Sequence, residues 1–164
     1  MSKYTDYQFK PFLREAIGRL GFENPTPIQK EMIPLILKGT SAIGQAHTGT
    51  GKSHSFIIPV LERVDTEADE LQAVITAPTR ELATQLSNEL DKMTEGTEIR
   101  SSLLIGGTDK QRSIGKLKSN PHIVIGTPGR IRDMAENGAL AIHTARILII
   151  DEADLAFDMG FIEE

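Results

Sequence analysis

The segment Ala46-His47-Thr48-Gly49-Thr50-Gly51-Lys52-Ser53 holds the densest chemistry in the chain. Its run Thr48, Gly49, Thr50, Gly51 lets the backbone curl until successive N–H groups converge on phosphate oxygens. Lys52 follows as an ammonium for the β- and γ-phosphates, Ser53 as a hydroxyl for Mg²⁺, and the helix beginning there adds its partial positive charge. Ala46 departs from the usual phosphate-loop pattern, which opens on glycine. A flexible Gly/Thr turn is the bland alternative; Gly-Lys-Ser between a strand and a helix argues against it. A second segment, Ile147-Leu148-Ile149-Ile150-Asp151-Glu152, is an apolar run delivering two carboxylates at its end. Asp151 is suited to hold the Mg²⁺ of a bound nucleotide, and Glu152 to orient and deprotonate an attacking water. Apolar strands followed by acids are common, but here each segment supplies what the other lacks.

These groups need elements to hold them. Short apolar runs predict strands over Ser41–Gly44, Ala73–Thr76, Ser102–Ile105, His122–Ile125 and Arg146–Ile150. Amphipathic stretches between them predict helices over Ser53–Arg63, Arg80–Met93, Lys110–Leu117 and Arg130–Glu136. Alternation of this kind requires crossovers, hence an α/β fold with a parallel sheet covered on both faces and ligands beyond the strands' carboxyl ends. Two helices come first. Pro11–Leu20 stops at Gly21, and a second opens at Thr26-Pro27-Ile28-Gln29, where Thr26 and Gln29 have the spacing of a capping box. Pro34 is expected to kink or end that second helix.

Composition narrows the function. The chain has 164 residues, no cysteine, 39% hydrophobic and 25% charged residues, a soluble globular profile without disulfides, Cys-ligated zinc or a thiol nucleophile. No apolar run is long enough to span a bilayer and no signal segment opens the chain, so the sequence reads as cytoplasmic. The net charge of −5 disfavours nucleic acid, yet it is unevenly spread. Residues 100–132 hold seven bases (Arg100, Lys110, Arg112, Lys116, Lys118, Arg130, Arg132) against Asp109. Such an island can neutralise phosphates locally, since remote acids are screened. The acidic stretch Glu62, Asp65, Glu67, Asp69, Glu70 reads as a solvated loop, and His47 and His54 have no partner that would make either a base.

Asp151-Glu152-Ala153-Asp154 resembles the signature of the DEAD-box RNA helicases, and other motifs follow in that family's order. Thr26-Pro27-Ile28-Gln29 after Gly21-Phe22 is similar to the adenine-reading Q motif. Ala46–Ser53 resembles motif I, where alanine is a usual first residue. Pro78-Thr79-Arg80-Glu81-Leu82-Ala83 resembles motif Ia, Gly106-Gly107 the GG element, and Thr127-Pro128-Gly129-Arg130 motif Ib. The likeness covers essentially the whole chain and is nearest to bacterial, cold-shock-type members. It implies a RecA-like P-loop domain over residues 41–164, preceded by a Q-motif helical region over residues 1–40. It also implies ATP and Mg²⁺ as cofactors and an RNA-stimulated ATPase that unwinds duplexes locally. Gln29 would read adenine, the capping role notwithstanding, because a carboxamide matches the donor–acceptor edge of that base. The family's stacking aromatic falls, without gaps, on Tyr4, with Tyr7, Phe9 and Phe12 close by.

Pro78, Thr79, Arg80, Gly106, Gly107, Thr127, Pro128, Gly129 and Arg130 would contact RNA through its sugar-phosphate, independent of sequence. Arg80 and Arg130 open helices beside the hydroxyls of Thr79 and Thr127, and the glycines allow close backbone approach. A helix start is the plain reading of Pro78-Thr79-Arg80-Glu81 taken alone. The chain stops at Glu164, before the family's Ser-Ala-Thr motif, so the resemblance implies a sheet lacking its final strands. It further implies a second RecA-like domain as partner, one that brings arginine fingers worth roughly 10³–10⁵ in rate. This piece alone would then bind adenine nucleotide and be nearly silent as an enzyme. A stand-alone regulatory nucleotide-binding module is the competing expectation; a small-molecule P-loop kinase would need an acceptor pocket and lid that the sequence does not suggest. Met159 and Phe161 are expected in a core or interface.

Overall fold

The computed structural model describes residues 3–4, 7–38, 42–44, 52–107 and 110–151. Two helices, α1 (Pro11–Arg19) and α2 (Pro27–Leu37), precede β1 (Ala42–Gly44). Then follow α3 (Lys52–Arg63), β2 (Ala73–Thr76), α4 (Arg80–Thr94), β3 (Ser101–Leu104), α5 (Lys110–Leu117), β4 (Ile123–Gly126), α6 (Pro128–Glu136) and β5 (Ile147–Asp151). The five strands form one sheet in the order β1-β5-β2-β4-β3. Every pairing is parallel.

Alternation along the strands divides the apolar residues between the two faces. Ala73, Ile75, Ile123, Ile125, Ile147 and Ile149 point into one core. There they meet Leu13 and Ile17 of α1, Ile33 and Ile36 of α2, Phe56 to Leu61 of α3, and Leu86 and Leu90 of α4. α1 and α2 thus share their core with the sheet. Val74 and Val124 point the other way, onto Leu117 of α5 and Ile131 and Met134 of α6. β2 and β4 are buried on both faces, as a continuous apolar run in a parallel sheet demands.

The strands lie where the apolar runs place them, three of them displaced one residue (β3 earlier, β4 and β5 later). β4 ends on Gly126, where the Leu104 carbonyl leaves no room for a Cβ; that carbonyl accepts from the Thr127 N–H at 3.0 Å. α6 begins at Pro128, two residues before the expected Arg130, since a proline at the first helical turn has no N–H to leave unpaired. Pro34 does not end α2. The helix continues to Leu37, and the Lys38 N–H bonds the Pro34 carbonyl at 3.2 Å. Burial of Ile33 and Ile36 on either side holds the turn together despite the missing N–H of the proline. α3 likewise carries Pro59 between the buried Ile58 and Val60.

Candidate nucleotide and nucleic-acid sites

All five strands run the same way, so every loop that follows a strand opens on one rim of the sheet. The register of β1 against β5 sets Ala42 opposite Ile149, Ile43 opposite Ile150 and Gly44 opposite Asp151. β1 leads into residues 45–51, and α3 opens at Lys52, bringing Ser53 into its first turn. The backbone therefore sets the strand entering the glycine-rich loop beside the strand ending in Asp151. α3 is twelve residues long, and the positive end of its dipole lies at Lys52, directly after that segment. Ala46, Thr48, Gly49, Thr50, Gly51 and Glu152 lie outside the described residues, as do Met159 and Phe161.

Gln29 is 2% exposed and sits in a complete capping box. Its N–H donates to Thr26 Oγ1 at 3.4 Å, and its Oε1 accepts from the Thr26 N–H at 2.8 Å. The same Oε1 accepts a hydrogen bond from the Tyr4 hydroxyl. Tyr4 is buried, tilted against Phe22 with ring centroids 6.3 Å apart, and tied by its N–H to the Glu23 carbonyl at 3.3 Å. Burial pushes its phenol up to about 12, the Gln29 hydrogen bond opposing and Tyr7 adding to the rise. Among the aromatics near the chain's start, Tyr4 is hydrogen-bonded to Gln29, whereas Tyr7 stacks on Phe9 at 5.2 Å.

Along the same rim β2, β4 and β3 end together, with Thr76 opposite Gly126 and Gly126 opposite Leu104. The three loops beyond them converge. Gly107 has φ +79°, and a Cβ there would lie 2.7 Å from Arg80 Nη1, so the guanidinium rests directly on the glycine backbone. Thr79 caps α4, its Oγ1 accepting from the Leu82 N–H at 3.2 Å. Thr127 holds the equivalent place before α6 without any side-chain cap bond. Arg130 Nη1 reaches the hydroxyl of buried Ser113 at 3.4 Å. Gly106, Thr127, Gly129, Arg130 and Arg132 line a shallow groove that also carries Asp133 and Glu136. Pro78 and Pro128 are buried and set the turns, while Thr79, Arg80, Gly107 and Gly129 are exposed.

The basic stretch 100–132 is not one patch. Arg100 precedes β3 and so lies at the amino end of the sheet, away from the rim. It pairs with Asp69, and it donates to the Ser119 and Asn120 carbonyls at 3.1 Å. Asn120 Nδ2 also reaches Asp69 at 3.1 Å. Asp69, exposed on the loop between α3 and β2, is thus held in a network, and Gln72 fastens the same segment through the backbone of Asp65. His122, unremarked in the sequence, is fully buried beneath this network. Its Nδ1 accepts from the Arg100 N–H at 3.0 Å, while its Nε2 makes no full hydrogen bond. Burial first, and then Arg100, hold it below the ordinary 6.5; the Thr66 backbone and the acids Asp69 and Asp65 pull the other way.

A parallel sheet whose first strand leads into the glycine-rich segment 45–51, and whose neighbouring strand ends at Asp151, defines an α/β domain of the RecA-like kind. Residues 26–164 match the DEAD/DEAH box helicase family, to which the chain belongs. It is 54% identical to the DEAD-box ATP-dependent RNA helicases CshB of Listeria monocytogenes and Bacillus subtilis, over 99% of its own length. It spans 38% of the length of those relatives. The crystal structure of a DEAD box protein from the hyperthermophile Methanococcus jannaschii superposes with a TM-score of 0.89 at 38% identity. That match covers 98% of this chain and 44% of the other. Among the described residues no helix is long and apolar enough to cross a membrane.

Proposed function

We propose that the chain binds ATP with Mg²⁺ and forms the ATP-binding half of a cytoplasmic RNA helicase that opens duplexes locally. The observation that carries this reading is the register of β1 and β5, with Gly44, which leads into the glycine-rich segment, opposite Asp151. The donor set fits the ligand: an ammonium and helix N–H groups for phosphate, and the hard oxygens of Ser53 and Asp151 for a small divalent cation. Lys52 would hold the β- and γ-phosphates, and Glu152 would take the proton of the attacking water. Ser53 and Asp151 would hold Mg²⁺, which would supply positive charge to offset that of the reacting phosphates. Gln29 would read adenine, with the ring of Tyr4 as its stacking partner.

RNA would lie across Arg80, Gly106, Gly107, Thr127, Gly129 and Arg130, gripped through its backbone and told from DNA by its 2′-hydroxyls. Half of each site would come from a second RecA-like domain. Closure on ATP and closure on RNA then favour one another, and hydrolysis is triggered only when both are bound. The named activity of the CshB relatives, ATP-dependent RNA helicase, is the same. Calorimetry with Mg·ADP tests the nucleotide site: Lys52→Ala should weaken binding about tenfold to a hundredfold, the loss of one charge-assisted contact. Unchanged affinity would remove Lys52 from the phosphate site. Brisk, RNA-stimulated phosphate release by the 164-residue chain alone would overturn the two-domain mechanism.

A further inference from the structure

The carboxamide of Gln29 has its orientation fixed by chemistry. A backbone N–H can only donate, so the atom facing Thr26 N at 2.8 Å is the amide oxygen. Tyr4 meets that same oxygen, so its hydroxyl must be donating as well. A carbonyl oxygen has two lone pairs, and both are taken. Adenine offers a 6-amino donor beside the N7 acceptor. A glutamine that reads both needs a free lone pair on Oε1, and in this arrangement it has none to give.

We propose that Tyr4 competes with the 6-amino group of adenine for Gln29 Oε1, and thereby sets the affinity and selectivity with which the purine is read. This rests on the assignment of Gln29 to adenine made above. Of the two donors, Thr26 N–H is built into the start of α2 and cannot leave without unwinding its cap. Tyr4 lies ahead of the first helix, its N–H donating to the Glu23 carbonyl, its carbonyl accepting from the Tyr7 N–H at 3.2 Å and its ring tilted against Phe22, and none of these contacts fixes its hydroxyl. An open hollow lined by Tyr4, Phe9, Ile17 and Phe22 borders its ring, giving the side chain somewhere to move. A tyrosine phenol is protonated throughout the physiological range and burial shifts it further that way, so the competing donor is always present. The hydroxyl thus stands in for the 6-amino group until nucleotide displaces it, and the freed ring can then face the base.

The test is calorimetric titration of the 164-residue chain and its Tyr4→Phe, Gln29→Ala and doubly substituted variants with ADP and with IDP, which carries an oxygen in place of the 6-amino group. Tyr4→Phe keeps the ring and removes the competitor. ADP should bind about three- to tenfold tighter, the equivalent of one neutral hydrogen bond, while IDP changes little. In the Gln29→Ala background the same substitution should do nothing. Weaker ADP binding by Tyr4→Phe, or an equal change for ADP and IDP, overturns the competition. If Gln29→Ala leaves an ADP-over-IDP preference intact, the adenine assignment itself fails; if it erases that preference while Tyr4→Phe has no effect, only the competition fails. Absence of ADP binding by the wild-type chain defeats both. Thermal unfolding of each variant separates these effects from a loss of fold.

Discussion

The two ends of the sheet use arginine in opposite ways. At the amino end, Arg100 spends its guanidinium inside the protein, on Asp69 and on the carbonyls of Ser119 and Asn120, above a buried histidine. At the carboxyl rim, Arg80 lies exposed over a glycine held at φ +79°, and Thr127 keeps its hydroxyl out of the helix cap it could have made. Both ends carry the same residue types. The difference is that one end closes its polar groups on one another, whereas the other holds several of them at the surface on short, glycine-permitted turns. A parallel sheet makes this division natural, because only one rim collects the starts of all its helices and their unpaired N–H groups.

The largest expected effect probes the rim's chemistry. In a protein carrying this chain together with the family's second domain, Glu152→Gln should retain ATP binding and lower hydrolysis by about 10²–10⁴, the usual contribution of a general base. Steady-state phosphate release against nucleotide affinity measures both, and wild-type turnover would take that role away from Glu152. Next comes Gly107→Ala. The positive φ and the guanidinium 2.7 Å from the added carbon should together destabilise the chain by about 1–3 kcal/mol, read from urea unfolding. RNA affinity should fall with it as Arg80 is displaced. Gly129→Ala is the contrast: its Cβ would meet nothing within 4 Å, so stability should hold. Equal losses for both glycines would break the distinction between a glycine required by the backbone and one that is merely permitted.

The sheet and its order of motifs are legible in the sequence because both follow from apolar runs punctuated by Gly, Pro and Thr. β2 and α5 have the bounds that the pattern assigns. α2 was harder: a proline inside it argues for a break, and only the tertiary burial of Ile33 and Ile36 shows why the helix runs on. Charge was the least legible. Seven bases within 33 residues look like one surface, yet β3 carries the chain from one end of the sheet to the other and separates Arg100 from Arg130. The Tyr4–Gln29 bond is a contact across 25 residues, and the partnership of Asp69 with Arg100 spans 31. Neither leaves a local signal.

That separation of Arg100 from Arg130 can itself be tested. Arg130→Ala should weaken binding of single-stranded RNA and flatten its salt dependence, as expected when one phosphate contact is lost. Arg100→Ala should leave RNA binding unchanged. Its ion pair with Asp69 is exposed, so the loss of stability should be about 1 kcal/mol or less from that pair. Salt-dependent binding titrations on the two variants decide the matter. A matching drop in RNA affinity for Arg100→Ala would mean that the amino end of the sheet also touches nucleic acid.

The smallest effect concerns His122, whose protonation is disfavoured first by burial and then by Arg100. Its folded value lies below the ordinary 6.5 because the ring is buried and faces Arg100, while its Nδ1 is engaged as an acceptor from the Arg100 N–H. Above pH 6.5 neither the folded nor the unfolded chain holds this proton, so His122 adds no pH dependence. As pH falls below 6.5 the unfolded chain takes the proton first, binds more protons than the folded one, and stability drops. The drop continues until the pH reaches the lowered folded value, where protonating Nδ1 must also break its bond to Arg100. His122→Asn preserves an acceptor near that N–H but cannot titrate. Urea unfolding at pH 7.5 and at pH 5.5 should show a larger loss of stability for the wild type than for His122→Asn over that interval. Equal losses would show that the acid sensitivity of the fold arises from other groups, and that burial of His122 leaves its protonation unaffected.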